Sequence, residues 1–326
     1  MKHKLLLLFI LFLFPFNIYA YSSKIIPGGN TIGITVNTKG VMVVGFYKID
    51  GKYNKGNPEL KEGDYITKIN DINIDSVSDL INAIDENSIN KEVKVTYISN
   101  NKEKETILKL KEIDGKYKTG LYVKDNITGI GTLSYIDPES NVYGALGHEI
   151  NESSSKSFVL IKNGSIFRNY ITGIDRSENG SPGSKTAKFY NNTIYGDIIK
   201  NTKYGIYGNY SKKYSLNDAV EIKKLNDINL GKAYIRTVTK GEDIKEYEIN
   251  ITKINKDSKL KSIAFEITDK ELLNKAGGVV QGMSGSPIMQ DGYLIGAVTH
   301  VLIDDVKSGY GISIVTMLNE GDRIVN

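Results

Sequence analysis

The chain contains no cysteine. That one absence excludes a disulfide framework, a thiolate zinc site and a cysteine nucleophile together. Arginine is scarce, confined to Arg168, Arg176, Arg236 and Arg323, and the 42 basic residues are nearly matched by 38 acidic ones for a net charge of +4. With no concentrated basic block, the composition argues against a reader of nucleic acid. There are only 3 histidines, so any chemistry that needs an imidazole base has few places to find one. At 326 residues the chain is long enough for two folded domains.

An uncharged apolar run occurs at the start, in "MKHKLLLLFILFLFPFNIYAYSS": Lys2 and Lys4 precede an apolar stretch from Leu5 to Phe16, with the small Ala20 before Ser22 and Ser23. This is the pattern of an export signal, assigned to residues 1–22. It is either cleaved after Ala20 or kept as an anchor, since residues 5–21 are 17 uncharged positions, the lower edge of a spanning length.

Residues 28–112 read as a small α+β domain. Short β-branched runs are broken by glycine, and "EGD" and "IND" mark turns around a strand at residues 65–69. Asp75 or Ser76 can cap a helix whose Val77, Leu80, Ile81 and Ile84 share one face. Two alternating strands follow around a turn at Asn100 and Asn101. The order of "TIGITV", "GDYITKIN" and a capped helix resembles a bacterial-type PDZ domain. That resemblance implies that the chain at Ile32, Gly33 and Ile34 offers backbone N–H groups, and that an extended peptide adds as a strand in a groove against the helix.

From residue 117 to 326 the pattern changes to short apolar runs punctuated by Gly, Asn, Ser and Asp every eight to twelve residues, which reads as an all-β barrel or sandwich. Short helices are expected near residues 269–276 and 215–224. The fold class is therefore mainly β, with a boundary near residues 114–117.

The chemistry centres on "VVQGMSGSPIMQDGYLIGAVTHV", residues 279–301. Gly282 and Gly285 allow a tight turn in which the N–H groups of Gly282 and Ser284 converge on one oxyanion. A hairpin with its turn at Asp291 and Gly292 follows. The stretch resembles the nucleophile segment of chymotrypsin-like serine proteases, with Ser284 as nucleophile. Ser286 is the weaker alternative, because no glycine lies two residues before it and it directly precedes Pro287. A serine needs a base, usually histidine. His148, after "GALG" and far upstream of Ser284, fits a base at a strand end, while His300 falls on the strand expected to border the substrate. Asp175, Asp197, Asp243 and Asp269 all lie between His148 and Ser284, and spacing does not choose among them.

The motifs "PGGNTIGITVNTKGVMVVG", "GALGHEI", "SPGSKTAK", "NTKYGIYG" and the run from "ITDKELL" to "GYGISI" together resemble the stage IV sporulation protein B peptidases. The resemblance implies a leader or anchor, a PDZ domain and a double β-barrel peptidase, with His148, Asp269 and Ser284 as the charge-relay residues and no metal or organic cofactor. It also implies export to the space between the forespore membranes, self-processing, and cleavage of a membrane-bound regulator of an intramembrane protease that triggers late sigma-factor maturation. The PDZ groove would then hold the chain's own N-terminal part or a substrate tail. The alternative function is a catalytically silent, PDZ-based checkpoint protein.

Overall fold

The computed structural model describes residues 21–88 and 90–324. Residues 1–20 of the expected leader (1–22) lie outside them, and among the described residues no helix is long and apolar enough to cross a membrane.

The longer strands, in chain order, are β1 (Lys24–Pro27), β2 (Thr31–Phe46), β3 (Tyr65–Ile69), β4 (Glu92–Ser99), β5 (Lys102–Lys109), β6 (Leu121–Ile136), β7 (Val142–Ala145), β8 (Ile161–Asp175), β9 (Ser184–Asp197), β10 (Gly205–Asn209), β11 (Gly231–Val238), β12 (Ile244–Ile254), β13 (Ile263–Ile267), β14 (Pro287–Gln290), β15 (Tyr293–Val301) and β16 (Ser308–Ser313). The helices are α1 (Val77–Asn87), α2 (Lys270–Ala276) and α3 (Ile314–Gly321). Strands β11 to β16 form a closed barrel in the order β11-β12-β13-β16-β15-β14. That is the second barrel; the first, earlier in the chain, is a ring that runs β6-β7-β10 on one side and β6-β2-β8-β9 on the other. It closes through the isolated bridge between Gly196 and Tyr210. Each ring fills its interior with alternate aliphatic and aromatic side chains, as a small barrel must. Ile32, Leu133, Tyr143 and Ile166 fill the first, and Ile235, Ile249, Phe265 and Ile288 fill the second.

The PDZ unit is inserted between two neighbouring strands of the first barrel. Residues 31–37 of β2 pair with residues 126–132 of β6 inside the ring; past a register shift the same two strands continue outward, where residues 42–46 pair with 121–124. There β3 joins Val41 and Met42, and β4 and β5 extend the sheet. The helix α1 covers it with Leu80 and Ile84 against Val93, Val95 and Leu121. Ser76, one of the two caps the sequence offered, caps α1 in a capping box with Asp79. Asp125, on β6, accepts from the Val77 N–H at 2.8 Å and so ties the helix to the shared strand pair.

This arrangement corrects the expectation for Ile32, Gly33 and Ile34. Both edges of that segment are taken, by Gly131, Ile130 and Gly129 of β6 and by Arg168, Phe167 and Ile166 of β8. Ile32 and Ile34 are buried, and a Cβ at Gly33 would stand 2.1 Å from the Phe167 ring. No peptide can add there. Thr38 donates to the Gly40 and Asp125 carbonyls, and the chain runs through Gly40 as one strand with a bulge. A second correction concerns residues 215–224, which hold only a short 3-10 turn at Leu216–Asp218 and a two-residue strand rather than a helix. The helix expected at residues 269–276 is present as α2.

Candidate active site

The two barrels meet along a cleft, and each contributes one reacting side chain. His148 follows β7 of the first barrel. The chain reverses there through Leu146 and Gly147, both at φ +70°. A left-handed leucine is costly, and it persists only where its surroundings hold it. Here they do: the Leu146 N–H donates to the Thr132 carbonyl at 3.3 Å, and the Thr299 hydroxyl reaches the Gly147 carbonyl at 2.9 Å.

Ser284 lies in the loop before β14 of the second barrel. Gly282 and Gly285 both have positive φ, +93° and +94°. At Gly285 there is no room for a side chain, since a Cβ would meet the Thr132 carbonyl oxygen at 2.0 Å and the Leu146 nitrogen at 2.5 Å. That close approach brings the serine loop and the histidine loop together. Thr132 completes the joint: its N–H donates to the Ser284 carbonyl at 2.9 Å and its hydroxyl to the Gly282 carbonyl at 2.7 Å.

The remaining backbone donors of the loop sort into two groups. The N–H groups of Met283, Gly285 and Ser286 are bonded, to Val280, Val298 and Met283 carbonyls. Those of Gly282 and Ser284 have no acceptor among the described residues. Two unengaged N–H groups flanking the serine are what an oxyanion needs. Gly282, Ser284, His148, Leu146 and Ile130 share one cavity of about 590 Å3. The alternative nucleophile, Ser286, is fully buried, and among the described residues its hydroxyl has no partner.

His148 carries its proton suitably for a base. Its Nδ1 is 2.7 Å from the Glu149 carbonyl; with Nδ1 donating there, Nε2 is left as the acceptor. Burial lowers its pKa below the usual histidine range, against a smaller upward push from the Glu149 carbonyl and carboxylate. It is therefore neutral at pH 7. The Ser284 hydroxyl donates to the Thr299 carbonyl at 3.3 Å in this state. His300 stands beside His148 with ring centres 5.5 Å apart and its Nδ1 2.7 Å from the Thr299 hydroxyl.

Asp269, expected as the charge-relay carboxylate, is not brought to His148. It is the N-cap of α2: one carboxylate oxygen accepts from the Leu272 N–H at 2.9 Å and the other from the Glu248 N–H at 3.4 Å. Among the described residues His148 has no carboxylate hydrogen-bond partner, and a main-chain carbonyl orients its ring instead. Thr132, Leu146 and Thr299 escaped sequence reasoning because each acts through backbone geometry or a hydroxyl, with no motif to announce it.

A serine that shares one cavity with a neutral imidazole and carries two unengaged N–H groups on its own loop, between two β-barrels, defines a serine hydrolase of the acyl-transfer class. Comparison with known families narrows it: residues 115–318 match the SpoIVB peptidase S55 family, and residues 31–110 match the PDZ domain family. The chain belongs to the SpoIVB peptidase S55 family of serine endopeptidases. Among solved structures it is similar to the PDZ domain of an SdrC-like protein from Listeria monocytogenes, 28% identical, covering 27% of this chain and 90% of that one with a TM-score of 0.23. It is also similar to the Rv3671c protease of M. tuberculosis in an inactive form, 12% identical, covering 60% of this chain and 84% of that one with a TM-score of 0.34. No curated protein matches it.

Proposed function

We propose that this endopeptidase is exported, processes itself, and during sporulation cleaves a membrane-bound regulator of an intramembrane protease, so that a late sigma factor matures. The sporulation role is drawn from the family's name, and export from the basic start and apolar run at residues 2–16. In the chemical step His148 Nε2 takes the Ser284 hydroxyl proton as Oγ attacks the scissile carbonyl, and the N–H groups of Gly282 and Ser284 hold the oxyanion. His148 then passes the proton to the leaving amine, and water releases the acyl group by the reverse path. The observation that carries the reading is the pair of unengaged N–H groups on the serine's own loop, in the cavity that holds His148.

Its test is a fluorophosphonate probe on the exported protein, with the mature N-terminus mapped in parallel. Labelling at Ser284 that disappears in Ser284→Ala supports the peptidase; a self-cleavage ladder in wild type that His148→Ala lacks supports self-processing. Labelling that persists in Ser284→Ala sinks the site, and absence of both labelling and the ladder favours the PDZ-based checkpoint protein.

A further inference from the structure

The motif "SPGSKTAK", residues 181–188, takes no part in the chemistry above, yet it is wrapped around the nucleophile loop. Gly183 accepts from the Gln281 N–H at 2.8 Å, and the Lys185 N–H donates to the Gln281 carbonyl at 3.0 Å. The Ser177 hydroxyl bonds the Val279 carbonyl at 2.7 Å and receives the Gly183 N–H at 2.8 Å. The approach to Gly282 is thereby held as an extra strand along the start of β9. Lys185 then turns inward beneath the loop: a Cβ at Gly282 would stand 3.1 Å from its Cδ.

Lys185 is an unusual residue to find there. It is 4% exposed, and its ammonium is held only by two neutral hydroxyls, Thr31 of β2 at 3.3 Å and Thr237 of β11 at 2.8 Å. Buried charges are ordinarily paired. Among the described residues no carboxylate pairs with this one, although charged groups stand on the neighbouring elements. Arg236, next to Thr237 on β11, engages Glu246 of β12 at 3.8 Å. Glu242 is taken by Arg168 of β8 at 2.7 Å, and Asp175 of β8 accepts from the Ser184 hydroxyl at 3.2 Å. Opposite Lys185 on β8 stands Ile174, and the nucleophile loop offers Gln281 and Gly282.

We propose that Lys185 is a positioning residue for catalysis: its main chain and stem fix the turn at Gly282, and its buried, unpaired ammonium stabilises negative charge developing at the N–H groups of Gly282 and Ser284. An always-charged group would give a constant effect, but burial pushes the Lys185 pKa down to about 7. Charge beneath the loop is thus present at mildly acid pH and lost as pH rises through neutrality, and acylation weakens with it.

The experiment measures the rate of fluorophosphonate labelling of Ser284 in the full chain across about pH 5 to 9, for wild type, Lys185→Met and Lys185→Arg, with melting temperatures taken alongside. Wild type should show a falling limb near neutral pH. Lys185→Met should label about tenfold more slowly at pH 6 and lack that limb, while Lys185→Arg, which stays charged, should keep the rate and lose the limb. A methionine variant that is folded and labels at the wild-type rate with the wild-type profile overturns the proposal. Should the methionine variant not fold, a falling limb that persists unchanged in folded Lys185→Arg overturns it equally.

Discussion

The imidazole rings of His148 and His300 lie 5.5 Å apart, tilted by 52°, and only His148 lines the cavity that holds Ser284. Burial, then the nearby His148 and Lys261, push His300 down to about 4, so it stays uncharged beside the base over the working range. One imidazole therefore governs the acid side of activity. On the acid side, below the falling limb assigned to Lys185, labelling of Ser284 should rise with pH along one limb whose midpoint lies below about 6.5, the ordinary histidine value. A midpoint above that value would contradict a base whose charged form is disfavoured by burial.

Gly285→Ala should separate the two halves of the site. The new methyl would meet the Thr132 carbonyl and the Leu146 nitrogen, and the backbone would be held at φ +94°. The backbone strain alone costs about 1–3 kcal/mol. Labelling should fall to background and the melting temperature should drop; an active, stable variant would refute the joint.

Asp269 can be tested through its cap. Asn caps a helix as well as Asp, whereas Ala loses the bond to Leu272 and about 1 kcal/mol. Chemical denaturation should find Asp269→Asn as stable as wild type and Asp269→Ala weaker. Equal losses in both would deny the cap its share of the stability.

Glu152 should make the protein acid-sensitive. Its side chain is 1% exposed; burial alone would raise its pKa, but Lys124 at 2.7 Å and the amides of Ser155 and Ser154 overcome that and bring it down to about 2. Because the folded value lies below the unfolded one of about 4.3, the stabilisation is full above that pH and is lost as pH falls toward 2, on the order of 3 kcal/mol. In urea titrations Glu152→Gln should be less stable at pH 7, with the gap roughly halved by pH about 3 and closed only near pH 2. A gap that stays constant would show that charge is not the cause.

The parts of the site that were legible in the sequence are those written in local chemistry. Gly282, Ser284 and Gly285 announce a turn whatever surrounds them, and His148 was found because the described residues hold just one other imidazole, His300. Pairing partners are different. Nothing in Ile32, Gly33 and Ile34 says which strands occupy their two edges, because those partners lie about a hundred residues or more away in the chain. Lys185 reads as one more surface lysine between polar neighbours, and only the folded barrel interface shows it buried. Asp269 reads through the family resemblance as the relay carboxylate, while its bond to the Leu272 N–H, set by the fold of α2, makes it a cap.

The strands β2 and β6 are held in common by the PDZ unit and the first barrel. A peptidase fragment cut at residue 115 would leave out β2 and expose the long edges of β6 and β8 that it covers. Unpaired edges of that length invite aggregation. Neither domain can be excised cleanly at its family boundary, and the two would have to be inherited, expressed and degraded as one unit.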